Sequence, residues 1–310
     1  FNTSGYRRTS QIVEDKIYIP HDGGTALEII DTTNNTVTTY ANFFNTSWNR
    51  LTSQLVEDKI YIPEYSGTAL EIIDTTNNTV TTYANFFNAS RNRLTRHLIG
   101  TKIYIPQDNG TALEIIDTTN NTITTYANFF DASRERYTNQ LVGTKIYIPE
   151  YIGTALEIID TTNNTATTRA NFFNASRWRR TSQFVDDKIY IPQHNGKVLD
   201  IIDTTNNTVT TYANFFNANR YRYTSQLVGT KIYIPEHNGT GLEIIDTTNN
   251  TVTTYANFFN ASRNRTTNQL VGTKIYIPQN DGTGLEIIHT AKTLPVRNNT
   301  ETQRRQVSSS

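Results

Sequence analysis

The chain has 310 residues, Lys+Arg and Asp+Glu are both 28 for a formal charge of zero, and it contains no cysteine and no methionine. The balanced charge gives no electrostatic case for nucleic acid or an anionic membrane surface. The missing cysteines remove disulfides, thiolate nucleophiles and thiolate metal ligands. No apolar run approaches the roughly 20 residues that a membrane-spanning helix needs. With no Met even at position 1, the chain is expected to begin at a processing site or to be a trimmed fragment, any signal peptide being already gone.

An internal period dominates everything else. The string K-I-Y-I-P begins at Lys16, Lys59, Lys102, Lys145, Lys188, Lys231 and Lys274, every interval being 43 residues. The unit that starts at Arg50 predicts four strands in chain order: Arg50–Val56, Lys59–Ile62, Ala69–Asp74 and Thr79–Phe87. Each is short, rich in Ile, Val, Tyr, Thr and Phe, and bounded by turn residues. Pro63 has no N–H for a ladder and should end the second strand. A glycine follows in the next connection (Gly67, Gly110, Gly153, Gly196), where a tight hairpin is expected. The D-T-T-N-N-T stretch reads as the next turn, because Asn tolerates positive φ and the Asp column from Asp31 to Asp246 can bond its own turn backbone.

Four-stranded antiparallel units of this length are propeller blades, and radial packing buries both faces of each sheet. The expected fold is therefore all-β, a seven-bladed β-propeller over residues 1–289, with blades starting near residues 7, 50, 93, 136, 179, 222 and 265. An open β-solenoid is the alternative, but 43 residues are too many for one coil. The seventh copy breaks after Ile288, where H-T-A-K-T-L-P-V-R-N stands in place of D-T-T-N-N-T-V-T-T-Y. Residues 1–4 align only with the end of a fourth strand. Blade seven is thus expected to have an open edge, followed by a polar tail over 290–310 that pairs with another copy in a homo-oligomer or filament.

The unit resembles the kelch repeat. The matching residues are Arg50, the V-G-T-K-I-Y-I run at Val142–Ile148, and L-E-I-I-D at Leu70–Asp74 where kelch has an aromatic-Asp pair. It departs from kelch at Pro63 and Glu64, which replace a Gly-Gly pair, and at Val80, which replaces a Trp. The resemblance covers residues 5 to about 290 and implies a blade plan with a binding role.

Stacked copies give columns that barely vary. Arg7, Arg50, Arg93, Arg136, Arg179, Arg222 and Arg265 form one; a Thr column from Thr9 to Thr267 and a Gln column from Gln11 to Gln269, with His97 in the third copy, follow at steps of two. An acidic column runs Glu28, Glu71, Glu114, Glu157, Asp200, Glu243 and Glu286. Identical residues in every blade read as a structural ring of inter-blade bonds; a catalytic site needs different residues converging in one place. A polar ring holding an anion or sugar is the competing reading. Lys16, Tyr18 and their copies are expected to pack structurally. The histidines (His21, His97, His194, His237, His289) show no metal spacing, and phosphate-loop, nucleophile-elbow, sialidase-box and copper-radical signatures are absent. An enzyme is not expected, nor any cofactor or metal.

Fifteen N-x-S/T sequons remain. Asn34, Asn77, Asn120, Asn163, Asn206 and Asn249 lie in the third-to-fourth hairpin, and Asn2, Asn45, Asn88, Asn174 and Asn260 in the blade-to-blade loop. Asn109, Asn238, Asn264 and Asn298 complete the set. They point to N-glycans on both rims of a secreted protein, against the alternative of ordinary turn asparagines copied by duplication. Loop aromatics at Trp48, Trp178, Tyr221, Tyr65 and Tyr151, with His194 and His237 beside them, form a candidate ligand rim. The sequence therefore points to a non-catalytic extracellular structural or assembly glycoprotein; a carbohydrate-binding propeller and a kelch-type protein-interaction adaptor are the alternatives.

Overall fold

The computed structural model describes residues 1 and 5–290, and the regular elements within them are strands. The second unit forms Gln54–Val56, Lys59–Pro63, Leu70–Asp74 and Thr79–Tyr83, paired antiparallel in chain order. The register sets Lys59 against Asp74, Pro63 against Leu70 and Ile73 against Val80. The innermost strands ring the axis. The first, Gln11–Val13, touches the seventh, Gln269–Val271, so seven sheets close a propeller. Six blades have four strands, and the seventh has three among the described residues, ending at Leu285–His289. Asn2, Asn298 and tail residues 291–310 lie outside the described residues, and so does the expected pairing through the tail.

Three local expectations are corrected. The inner strand starts at Gln54 rather than Arg50, because the Arg50 nitrogen donates to the Asp22 carboxylate of the preceding blade (3.0 Å) rather than to a ladder. The outer strand ends at Tyr83 rather than Phe87. The chain turns there, the Phe87 nitrogen bonds the Thr68 carbonyl (2.9 Å), and the Phe87 ring enters the core. Gly67 does not occupy the left-handed region; a Cβ there would collide with the Glu64 side chain, whose carboxylate accepts from the Ala69 nitrogen (3.1 Å). Left-handed glycine recurs instead in the first-to-second turn, as at Gly100 (φ 58°), and among the described residues the second-to-third connection has it only at Gly23 (φ 68°) of blade one.

The middle strands are buried on both faces because each sheet is sandwiched between neighbours. Tyr18, Leu27, Ile29 and Phe44 of blade one pack against Ile60, Ile62 and Ile73 of blade two. The same contact closes the ring, with Tyr276, Leu285 and Ile287 against Ile17, Ile19 and Ile30. Each fully buried Ile or Leu contributes about 1.5–3 kcal/mol, and these clusters lie between blades, so no blade has a core of its own. The outer strands alternate exposed and half-buried residues, as one-sided strands do. Turn chemistry adds a staple. Asn78 sits at φ 54°, and its side-chain oxygen accepts from the Tyr18 hydroxyl of the preceding blade (3.0 Å). Asp74 accepts from the Thr76 nitrogen and hydroxyl (3.0 and 2.6 Å).

The arginine column links the blades. Arg136 donates through Nε and Nη2 to the Glu157 carboxylate of its own blade (2.6 and 2.7 Å). Its Nη1 donates to the Gln107 and Gly110 carbonyls of the preceding blade (2.6 and 2.7 Å), and Nη2 reaches the Ala132 carbonyl (3.2 Å). All five guanidinium donors are thereby used. The guanidinium also lies 3.9 Å from the centre of the Phe130 ring. At the closure, Arg7 bonds Glu28 and the Gln279 carbonyl of blade seven, over the Phe1 ring at 3.9 Å. Phe1 takes the place that Phe44 holds one unit later, and its nitrogen donates to the Thr283 carbonyl (3.1 Å). Burial pushes the Glu157 carboxyl up against the pull of Arg136, so the intact pair gains little net energy while a broken one is costly. Urea unfolding checks this: Arg136→Met should lose about 3–5 kcal/mol, and adding Glu157→Leu should recover much of that loss.

Candidate functional site

Where the arginine column fixes the chain, the next residue of each copy turns into the mouth of the central channel. Arg8, Leu51, Leu94, Tyr137, Arg180, Tyr223 and Thr266, one from each blade, line a single cavity of about 130 Å³. A larger indentation of about 450 Å³ lies between the outer strands of blades one and two, lined by residues such as Tyr40, Phe43 and Asn78. The same residue types recur at the junctions of blades two with three, three with four and five with six, as at Tyr83, Phe86 and Asn121, so that indentation marks no singular site.

The mouth is polarised. On the side of blades four to six, Tyr137 stacks on Tyr151 (4.1 Å between ring centres), and Tyr151 lies parallel to Trp178 (6.5 Å). Trp178 neighbours His194 (6.0 Å), which meets Tyr221 (5.5 Å) and the edge of Tyr223 (4.6 Å). Tyr223 stacks on His237 (3.9 Å). Arg180 sits over Tyr223 (3.8 Å) and reaches toward Tyr137 (5.1 Å). Across the channel stand Leu51, Leu94 and Arg8, the last paired with Asp22 (3.0 Å). Arg180 has no carboxylate partner among the described residues.

Local structure explains this placement. Short ribbons pair Ile152 with Trp178 and Asn195 with Tyr221, at the junctions of blades four with five and five with six. They hold Trp178 and Tyr221 outward, at 42% and 45% exposure. His194 and His237 place Nδ1 against the Arg222 and Arg265 carbonyls (3.0 and 3.2 Å), which assigns the proton to Nδ1 and fixes each ring. Burial, helped by Asp108, pushes the Tyr137 hydroxyl up to about 12.

Of the predicted rim residues, Tyr151, Trp178 and Tyr221 come together in this arc. Trp48 and Tyr65 make no ring contact with it. The seven arginines are 0% exposed and taken up by the blade junctions, and the acidic column is spent on them. Thirteen sequon asparagines are described; all are exposed except Asn264, which is half-buried. No group of three or more potential metal ligands occurs among the described residues. Sequence reasoning missed Arg8, Tyr137, Arg180 and Tyr223. The signal was present: this column follows the invariant arginine directly, yet reads Arg, Leu, Leu, Tyr, Arg, Tyr, Thr.

No family model matches the chain, and no curated protein matches its sequence. Many solved structures share its fold. YCF48 bound to D1 peptide is similar at 8% identity and a TM-score of 0.73, over 94% of each chain. The β-propeller domain of Cps50 (Swd1) from Myceliophteria thermophila is 10% identical at a TM-score of 0.70, over 93% of this chain and 98% of that one. The Neurospora crassa Pan2 WD40 domain is 8% identical at 0.66, over 89% of this chain and 86% of that one. Likeness at these identities establishes the β-propeller fold alone.

Burial holds the His97 and His194 imidazoles down to about 4, neighbouring Arg96 adding to the effect at His97 and Arg180 at His194. Unfolded histidines titrate at about 6.5. Between those limits the unfolded chain binds more protons, so stability falls as pH drops from 6.5 toward 4. Calorimetric Tm values at pH 7 and 4.5 should show this loss, and His97→Gln, the residue of the other six copies, should shrink it.

Proposed function

We propose that the protein is a non-catalytic, secreted glycoprotein whose propeller presents a saccharide-binding mouth, with acidic sugars as the ligand class. The observation that carries this reading is the arc of Tyr137, Tyr151, Trp178, His194, Tyr221 and Tyr223 assembled around Arg180. Open ring faces at Trp178 and Tyr221 suit the apolar face of a pyranose. A guanidinium without a carboxylate partner suits a sugar carboxylate, which it can grip through two parallel bonds. One-sidedness supports the same reading, since a purely structural ring would repeat in every blade.

The secretory placement is supported by the exposed sequons. Asn77, for example, uses its side-chain oxygen to accept from the Thr79 nitrogen and hydroxyl (3.1 and 2.6 Å), leaving the amide nitrogen, the atom that an N-glycan would join, at the surface. A structural or assembly role is the second reading. It is favoured by the Leu285–His289 strand, which has no outer neighbour among the described residues and offers an edge to another chain.

A glycan array followed by titration tests the mouth. Acidic oligosaccharides should bind, and Trp178→Ala and Arg180→Ala should each weaken binding about tenfold, or about 1.4 kcal/mol. Binding that ignores both substitutions, or no saccharide binding, contradicts the proposal. YCF48 is a similar propeller bound to a peptide, so a peptide array run in parallel separates a protein ligand. Intact mass of natively sourced protein before and after N-glycan removal tests the secretory placement; a mass of 35.2 kDa throughout would contradict it.

A further inference from the structure

Around the outer rim, the hairpin between the third and fourth strands of one blade meets the outer strand of the blade before. The indentation of about 450 Å³ between blades one and two is walled by Tyr40 and Phe43 on one side and by Asn78, Thr79 and Val80 on the other. Tyr40 meets Phe43 edge to face (6.0 Å between ring centres) and is 38% exposed. The Tyr18 hydroxyl donates to the Asn78 side chain (3.0 Å), which holds the hairpin of blade two against blade one. The same wall recurs as Tyr83 with Phe86, Tyr126 with Phe129 and Tyr212 with Phe215 (5.9, 5.8 and 5.9 Å).

A sequon stands beside this wall. Asn77 is exposed, and its side-chain oxygen accepts from the hydroxyl of Thr79, a residue of the indentation, so its amide lies one hydrogen bond (2.6 Å) from the lining. The hairpin sequence D-T-T-N-N-T is identical in blades one to six. In each, the Asn oxygen accepts from the Thr hydroxyl at 2.6 to 2.8 Å. What differs is the residue across the junction. Asn77, Asn120, Asn163 and Asn249 have a tyrosine there. Asn206 has Arg169 instead, whose Nη1 donates to the Asn207 carbonyl (3.3 Å). Asn34 adjoins blade seven, which has no outer strand among the described residues.

We propose that these indentations seat the protein's own N-glycans: the first N-acetylglucosamine on Asn77, Asn120, Asn163 or Asn249 lies on the Tyr–Phe wall of the preceding blade. The apolar face of the sugar and its acetamido methyl suit an exposed phenol ring. An indentation this open to solvent would hold a free sugar poorly. A covalent link changes that, because an attached sugar is present at high effective concentration beside its seat. Each seated glycan then bridges two blades at the outer rim. The inference rests on the secreted-glycoprotein reading and is independent of the mouth.

The full chain, secreted from eukaryotic cells and kept folded, gives the test. A peptide N-glycosidase acts on it in heavy-oxygen water, and the Asn-to-Asp conversion at each hairpin site is followed by peptide mass spectrometry. Release at Asn77, Asn120, Asn163 and Asn249 should be roughly three- to tenfold slower than at Asn34 and Asn206, the protection of one aromatic stack, and the difference should vanish on denaturation. Tyr40→Ala should speed release at Asn77 and leave Asn120 unchanged. Tyr40→Arg is the second variant and should do the same; blade four already carries Arg169 at this position, so the chain should fold. Arg169→Tyr should slow release at Asn206 toward the rate of the other four. Equal rates at all occupied hairpin sites, a rate at Asn77 that ignores both Tyr40 variants, or glycans only at sites without a tyrosine would overturn the seating and leave the glycoprotein reading intact. Absence of glycan from every site would overturn both.

Discussion

Each blade junction depends on an arginine whose donors are divided between two sheets. The carboxylate comes from its own blade; the carbonyls and the ring beneath it come from the blade before. A lone sheet in this chain has no core, because its Ile and Leu residues are buried only when a neighbour covers them. The clip sets how that neighbour arrives. Apolar packing supplies the energy without direction, whereas five hydrogen bonds and a stacked ring specify the register at which two sheets meet. At the seventh junction the same clip closes the ring over Phe1, so closure uses the contacts of every other junction. Blade five shows the tolerance of the device: Asp200 is one carbon shorter than the glutamates, its bond to Arg179 lengthens to 3.2 Å, and Thr211 satisfies the other oxygen (2.7 Å).

With the junctions fixed by repetition, differences between copies fall where the scaffold does not need identity. The residue after each arginine faces the channel and carries no part of the arginine clip, so Leu, Tyr, Arg or Thr all fit there, the Thr266 hydroxyl donating to the Arg7 carbonyl across the closure (2.8 Å). Divergence at this column, and at the neighbouring loop column that carries Tyr151, His194 and His237, turns a sevenfold ring into a mouth with one aromatic side. On the proposed reading, recognition in this protein is built by breaking a repeat, and the broken positions are the ones to read.

Much of the architecture was legible in the sequence. The 43-residue interval, Pro63 at the end of a strand, the Asn pair in the turn and the alternating T-V-T-T-Y strand translate directly into backbone geometry. The boundaries that failed did so for tertiary reasons. Phe86 and Phe87 have strand-like character, yet they leave the sheet because Phe87 is needed beneath the next arginine. Gly67 looked like a turn glycine but is small because Glu64 folds over it. Repetition pointed to Arg50 and its copies as structural, and their bonds lie in the junctions. The mouth was only partly legible: Tyr151, Trp178 and Tyr221 stood out as loop aromatics, whereas Tyr137, Arg180 and Tyr223 were hidden beside an invariant residue. Which loop aromatics meet depends on the order of blades around the ring, so Trp48 and Tyr65 could not be separated from the others by sequence alone.

The shared residues build the scaffold, and on the proposed reading the residues that differ carry recognition. The most direct test is a chain of seven identical blades, each carrying the shared residues with Leu at the mouth position, compared with the native protein by chemical unfolding and by binding to the same saccharide panel. The account predicts cooperative unfolding at no lower denaturant concentration, together with loss of every ligand the native mouth takes. Failure of the uniform chain to fold would show that the variable columns hold the ring together, and ligand binding that survives uniformity would place recognition outside the mouth.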